Sequence, residues 1–141
     1  MRISALIFTF TLAILSSSAC ASSSSQDVFI EYRRTGGFAG FDDHLVIYTN
    51  GDAVLTRQDQ QSEFSISPDS MLKLQDLFSQ ADFGDLRREY LPERQSADVF
   101  EYTISYRGKS VRAMDTAIPR ELIPLIQALN EIVDTGRGSL S

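Results

Sequence analysis

The chain has 141 residues, of which 43% are hydrophobic and 10% aromatic, so its length and composition suit one globular domain with a packed core. Lys and Arg number 13 against 19 for Asp and Glu, which gives a net charge of −6. Because the positive charges are scattered along the chain, the composition argues against a nucleic-acid partner, whose phosphates require a concentrated basic surface.

The first 21 residues predict an export signal peptide. Met1 and Arg2 give a positive start, residues 3–15 form an apolar run, and residues 16–21 are small. The apolar run is too short to cross the hydrocarbon layer as a mature helix. We therefore exclude residues 1–21 from the fold and expect an extracytoplasmic protein, whether periplasmic, secreted or anchored to a membrane.

Two cleavage positions fit the end of this signal. Ala19-Cys20-Ala21 suits ordinary signal peptidase, which would cut after Ala21, whereas Ser18-Ala19-Cys20 resembles a bacterial lipobox and would leave Cys20 as a lipidated N-terminus. The serine-rich residues 22–26 would then form a tether, and Cys20 would be the only link to the membrane. Because Cys20 is also the only cysteine, we expect no disulfide in the domain.

Period-two alternation and β-branched residues predict strands at residues 28–33, 45–49, 53–56, 98–106 and 110–114, with a brief addition at 64–66. Asn50-Gly51 lies between two of these strands and predicts a β-hairpin with a type I′ turn, which needs positive φ at both residues. The polar residues 57–63 predict a surface loop. The strand that begins at Val28 is expected to end at Gly36-Gly37.

Two amphipathic segments predict helices, from Pro68 to about Phe83 and from Pro119 to about Asp134. Ser67 suits the N-cap of the first helix, and Gly84 and Gly136 are the predicted stops. The order of strands, helix, strands, helix predicts an α+β domain over residues 27–135: an antiparallel sheet of about four to five strands with two helices packed on one face. Residues 136–141 are expected to form a flexible tail.

The segment Thr35-Gly36-Gly37-Phe38-Ala39-Gly40-Phe41 combines backbone freedom with two large apolar rings. One interpretation is a glycine-shaped turn whose phenylalanines anchor it to the domain. The other is a binding loop that offers Phe38 or Phe41 to a partner. The candidate partner-binding residues are Arg34, Gly36, Gly37, Phe38, Gly40 and Phe41.

The sequence offers little for catalysis, and we expect no catalytic residue, metal or cofactor. His44 is the only histidine, so a hydrolase, the weakest of the alternatives, would rest on this residue alone. Asp42 and His44 could converge on one face of a strand, but two ligands do not make a zinc site. The glycine segment lacks the Gly-Lys-Ser/Thr ending of a phosphate loop and leads into a strand, so no helix N-terminus is available for an anion.

Four segments, in this order, resemble the emfourin family: Arg34 to Gly40, Ala81-Asp82-Phe83 with Leu86, Asp98-x-Phe100-x-Tyr102, and Ile118 to Leu125. Emfourins are small protein inhibitors of thermolysin-like zinc metallopeptidases. The resemblance covers most of residues 28–133 and implies a non-enzymatic domain that binds and inhibits such a peptidase. It also implies that Phe38 or Phe41 fills the pocket which these peptidases have for a bulky apolar residue, with Arg34 as a further contact.

An alternative function is an envelope lipoprotein of structural or assembly role, without inhibitory activity. In that case the glycine segment would be only a turn, and the partner would be another extracytoplasmic protein. The exposure of Phe38 and Phe41 discriminates between the two, because exposed rings favour binding and buried rings favour a structural turn.

Overall fold

A computed structural model describes residues 26–94 and 98–138 of the chain. The predicted export signal, the candidate lipidation site Cys20 and the tether up to residue 25 lie outside these residues, as do residues 139–141 of the predicted tail. Within the described ranges, no helix has the length and apolar character that crossing a membrane requires.

The described chain forms seven strands and two α-helices. Their bounds are β1 Val28–Gly36, β2 Phe41–Tyr48, β3 Asp52–Arg57, β4 Gln60–Ser65, α1 Pro68–Gln80, β5 Glu89–Tyr90, β6 Phe100–Tyr106, β7 Lys109–Met114 and α2 Ile123–Arg137. The strands make one sheet in the order β4-β3-β2-β1-β6-β7-β5. Neighbouring strands are antiparallel except β5, which pairs parallel to β7. The α+β class is confirmed, but the expected antiparallel sheet of four to five strands is wrong, because the sheet is mixed and has seven.

The strand β4 accounts for much of this difference. Residues 57–63 were expected to form a surface loop, but Gln60 pairs with Arg57 across a two-residue turn, and the pairing continues to Ser65. Gln58 takes positive φ (52°) in this turn without being a glycine. β4 lies at the sheet edge, and two of its three inward residues, Gln60 and Ser62, are polar. The sequence therefore lacks the apolar alternation of a central strand.

Both helices pack on one face of the sheet. Inward side chains alternate along each central strand, and their pairing in register, for example Tyr32 with Leu45 and Ile104, brings them onto the same face. Leu74 of α1 and Leu129 of α2 belong to the same buried cluster as these side chains. The opposite face is mostly polar, apart from the paired Val46 and Val54, as the alternation predicts for an antiparallel sheet covered on one side.

The hairpin predicted at Asn50-Gly51 is confirmed, but its turn is not type I′. Gly51 has positive φ (89°), whereas Asn50 does not, and the Gly51 amide donates to the Tyr48 carbonyl at 3.0 Å. Positive φ at two successive residues, as type I′ requires, occurs instead at Arg107 (49°) and Gly108 (77°), between β6 and β7.

Helix α1 begins as predicted and ends earlier. The Ser67 hydroxyl accepts a hydrogen bond from the amide of Ser70, which confirms the N-cap. At the other end Asp82, rather than Gly84, takes the left-handed conformation, with φ of 45°. The Phe83 amide then donates to the Phe78 carbonyl, and the two rings lie 5.0 Å apart, which is the hydrogen bond and apolar contact of a Schellman motif.

Helix α2 continues past Gly136, the residue expected to stop it. A Cβ atom on Gly136 would lie 2.5 Å from the Phe64 ring, and the Ser62 hydroxyl donates to the Gly136 carbonyl at 3.1 Å. The glycine therefore allows α2 to approach the sheet closely, and it does not end the helix.

Candidate partner-binding site

The glycine segment forms a tight turn, Gly37 to Gly40, between β1 and β2. The Gly40 amide donates to the Gly37 carbonyl at 3.0 Å and closes the turn. Gly36, Gly37 and Gly40 have φ values of 106°, 69° and 63°. Other residues reach this left-handed region only at a cost of about 1–2 kcal/mol. Glycine at these three positions therefore avoids a strain that a residue with a Cβ atom would carry.

Two of the glycines are also held against the start of β6. A Cβ atom on Gly36 would lie 2.3 Å from the Val99 carbonyl oxygen, and one on Gly37 would lie 2.7 Å from the Phe100 ring. The Gly37 amide donates to the same Val99 carbonyl at 3.2 Å. Around Gly40, in contrast, nothing lies within 4 Å of such an atom. The turn is thus fixed on its β1 side by β6.

The two phenylalanines of the segment have different environments. Phe38, at the tip of the turn, is 97% exposed. Phe41 is half-buried, and its ring centroid lies 5.7 Å from that of Phe100. By the exposure criterion, Phe38 therefore has the position of a binding residue, whereas Phe41 has the position of an anchor for the turn.

Arg34 lies beneath the turn and not on its surface. Its guanidinium is 5.7 Å from the ring centroids of both Phe41 and Phe100, and the residue is only 9% exposed. Its Nη2 atom donates to Asp43 Oδ2 at 2.6 Å. The expectation that Arg34 contacts a partner directly does not fit this interior position, because its donor groups are directed into the domain.

Asp43 receives hydrogen bonds from two arginines. The carboxylate is fully buried, and Arg57 Nε lies 2.5 Å from its Oδ1 atom. The Arg57 guanidinium also lies 5.3 Å from the Phe41 ring centroid. Burial alone would raise the pKa of Asp43, but the hydrogen bonds from Arg57 and Arg34, together with their charges, hold the pKa below its ordinary value. Asp43 is therefore ionised in the folded domain at neutral pH.

Asn130 connects this cluster to helix α2. Its side-chain carbonyl accepts from the Tyr32 hydroxyl at 2.8 Å and from Arg34 Nη1 at 2.9 Å. Burial raises the pKa of Tyr32 well above its ordinary value, so the hydroxyl remains a donor. We call Arg34, Phe41, Asp43, Arg57, Phe100 and Asn130 the platform, since together they support the turn.

The sequence analysis did not identify most of the platform. One signal was available: Arg34 and Asp43 occupy inward positions of their strands, in step with Tyr32 and Leu45, and the two charges are direct partners in the β1–β2 register. Opposite charges at paired inward positions indicate a buried ion pair. Asn130 gave no comparable signal, because it lies 96 residues beyond Arg34 in the chain.

Asp42 and His44 face the other side of the sheet, where each has its own partner. Asp42 accepts two hydrogen bonds from Arg33, both at 3.0 Å, and His44 Nε2 lies 2.8 Å from Glu31 Oε1. The hydrogen bond from Arg33 lowers the pKa of Asp42. Among the residues that the structure describes, no group of three or more His, Cys, Asp or Glu side chains is arranged to hold a metal ion.

Comparison with protein-family models, with curated proteins and with solved structures finds no match for this chain. The site is therefore interpreted from its own geometry: a closed turn that carries one exposed aromatic ring above a charged and aromatic platform.

Proposed function

We propose that this chain is an exported protein-binding domain without enzymatic activity, whose turn binds and inhibits a thermolysin-like zinc metallopeptidase. The observation that carries the proposal is Phe38, which is 97% exposed at the tip of the turn. Moving such a ring from water into an apolar pocket is worth about 1.5–3 kcal/mol. A partner with a pocket of that kind would recover this free energy.

The geometry of the turn supports binding in a second way. The hydrogen bond from Gly40 to Gly37 closes the turn, and the contacts of Gly37 with Val99 and Phe100 fix it to β6. A loop that is already ordered loses little conformational entropy when it binds, so more of the contact energy contributes to affinity.

The candidate residues divide into three roles under this proposal. Phe38 makes the contact, and Gly36, Gly37 and Gly40 shape the turn that presents it. Phe41 and Arg34 belong to the platform and act through the position of the turn. The metallopeptidase as target follows from the emfourin resemblance, which implies an apolar pocket beside the scissile bond as the site for Phe38.

The experiment is a titration of the chain from Ser22 onward against thermolysin-like peptidases, with cleavage of a peptide substrate as the readout. Stoichiometric loss of peptidase activity supports the proposal. A matched comparison uses Phe38→Ala and Leu72→Ala, since Leu72 is an exposed apolar residue (59%) on α1, away from the turn. Full peptidase activity at micromolar excess of the domain, with several such peptidases, would overturn the inhibitor proposal.

The alternative, an envelope lipoprotein with a structural or assembly role, is supported by one observation: Phe41 anchors the turn instead of projecting from it. That alternative does not explain the exposure of Phe38. Cys20, which would carry the lipid, lies outside the described residues, so mass spectrometry of the mature N-terminus is the direct test of the anchor.

A further inference from the structure

We propose that the turn binds as a knob, inserting Phe38 alone into an apolar pocket, while its own peptide bonds are held in a conformation that peptidases do not hydrolyse. The identity of the partner rests on the function proposed above. The resistance to hydrolysis is a property of the turn itself and can be tested without that partner.

Hydrolysis of a peptide bond adds water across it: the carbonyl carbon becomes a carboxylate, and the nitrogen leaves as an amine. The carbonyl oxygen must be free for the catalytic groups that stabilise its developing charge. In the turn, the oxygen of the Gly37–Phe38 bond already accepts the hydrogen bond from the Gly40 amide at 3.0 Å. The Gly37–Phe38 bond is therefore not free to enter a catalytic site in this conformation.

The backbone conformation leads to the same conclusion. A chain bound along a peptide-binding cleft is extended, with negative φ at each residue. Gly37 and Gly40, on either side of Phe38 and Ala39, have φ values of 69° and 63°. The turn would have to rearrange at both ends before it could lie along a cleft as a strand.

That rearrangement is opposed by the contacts at the base of the turn. The β1–β2 pairing extends to Gly36 and Phe41, and the Gly37 amide is hydrogen-bonded to Val99. Phe41 in turn lies against Arg57 of the platform. Cleavage of a folded protein follows the population of the locally opened state, and these contacts keep that population small.

The same geometry indicates the kind of partner that fits. The neighbours of Phe38 in the turn are Gly37, Ala39 and Gly40, so no side chain larger than a methyl group accompanies the ring at the tip. A peptide-binding groove that recognises several successive side chains would find only one large side chain in this turn. A closed apolar pocket of about the size of one phenyl ring fits this tip.

The first test uses proteolysis of the chain from Ser22 onward by two serine peptidases outside the proposed target class: chymotrypsin, which cuts after aromatic residues, and subtilisin, which has broad specificity. A synthetic peptide of residues 34–42 serves as the unfolded control, and mass spectrometry identifies the products. We expect the Gly37–Phe38 and Phe38–Ala39 bonds to survive in the domain while the peptide is cut. Cleavage of the domain in the turn at the rate of the peptide would overturn the proposal.

Glycine variants give the matched comparison. Gly37→Ala combines the strained φ with the contact against Phe100 and should accelerate cleavage in the turn by about tenfold or more. Gly84→Ala has neither positive φ nor a neighbour within 4 Å and should leave the turn intact. If Gly37→Ala fails to fold, insertion of two glycines between Ala39 and Gly40 opens the turn without altering the strands. An opened turn that remains uncut would contradict the proposal.

The outcome is separable from that of the inhibition experiment. An intact turn without inhibition would overturn the proposed metallopeptidase target and leave the knob geometry standing. Inhibition accompanied by cleavage beside Phe38 would support the proposed target, but it would overturn the proposal that the turn resists hydrolysis.

Discussion

The carboxylate of Asp43 and the guanidinium of Arg34 form an ion pair inside the domain, with 2.6 Å between Nη2 and Oδ2. Arg57 donates to the other carboxylate oxygen, and both arginines lie against the Phe41 ring. One buried anion thus positions two cations below the turn. Removing one member of such a cluster leaves the other charges buried without compensation, which costs more than the pair itself contributes.

Asp43→Ala should therefore lower the free energy of unfolding by about 3–5 kcal/mol. The neighbouring Asp42 provides a matched control, because its pair with Arg33 is exposed, with 47% and 56% of the two side chains accessible. Asp42→Ala should cost about 0–1 kcal/mol. Urea unfolding of both variants measures the difference, and equal losses would contradict the structural role assigned to Asp43.

The pH dependence of stability follows from the carboxylates that accept hydrogen bonds from arginine. The pKa of Asp43 is lowered, and a hydrogen bond from Arg112 lowers the pKa of Glu101. A carboxylate whose pKa is lower in the folded state stabilises the domain above its unfolded pKa, which is about 4. That contribution is lost as the pH falls through the folded pKa.

We therefore expect the free energy of unfolding to decrease below about pH 4. Urea midpoints measured from neutral pH down to about pH 2 would show the decrease. The Glu101→Gln variant should lose stability at neutral pH and show a shallower decrease in acid. A variant that parallels the unaltered domain at every pH would contradict the assignment of Glu101.

The central strands and the start of α1 could be predicted because each follows from a local pattern. Alternation placed the strand that begins at Val28, and Ser67 before a proline placed the helix start. β4 could not be predicted in the same way, since an edge strand has little apolar alternation. The end of α1 was misplaced because Asp82 adopts a conformation that Gly84 would have taken at lower cost.

The turn could be found from the sequence because three glycines beside two phenylalanines are unusual together. The sequence could not tell that Phe38 is exposed and Phe41 packed, since both rings lie in the same segment. Their difference depends on Phe100 and Arg57, which reach the turn only through the pairing of strands. The interior position of Arg34 could not be predicted for the same reason: its burial depends on Asp43 and on a helix far along the chain.

Gly136 gives a prediction that is opposite to the usual one for a helix. Replacing glycine by alanine inside a helix normally stabilises it by about 1 kcal/mol. In α2 the new methyl group would lie 2.5 Å from the Phe64 ring and 3.2 Å from Leu55, so Gly136→Ala should destabilise the domain by about 1–3 kcal/mol. Thermal unfolding measures the change, with Gly84→Ala as a control that meets no neighbour within 4 Å. A stabilised Gly136→Ala variant would contradict the close approach of α2 to β4.

The two phenylalanines of the turn should separate binding from stability. Phe38→Ala removes a ring that is 97% exposed, so the free energy of unfolding should change by no more than about 0.5 kcal/mol. The inhibition constant against a sensitive metallopeptidase should rise by about tenfold or more, because the variant lacks the ring that we propose enters the partner pocket.

Phe41→Ala removes a half-buried ring that packs on Phe100 and on the two arginines of the platform. It should reduce stability by about 1–3 kcal/mol. It should also weaken inhibition, because the turn loses its support. Urea unfolding and inhibition titrations on both variants and on Leu72→Ala provide the comparison. If Phe38→Ala and Leu72→Ala inhibited equally well, Phe38 would not be the contact, and the position of the site at the tip of the turn would be wrong.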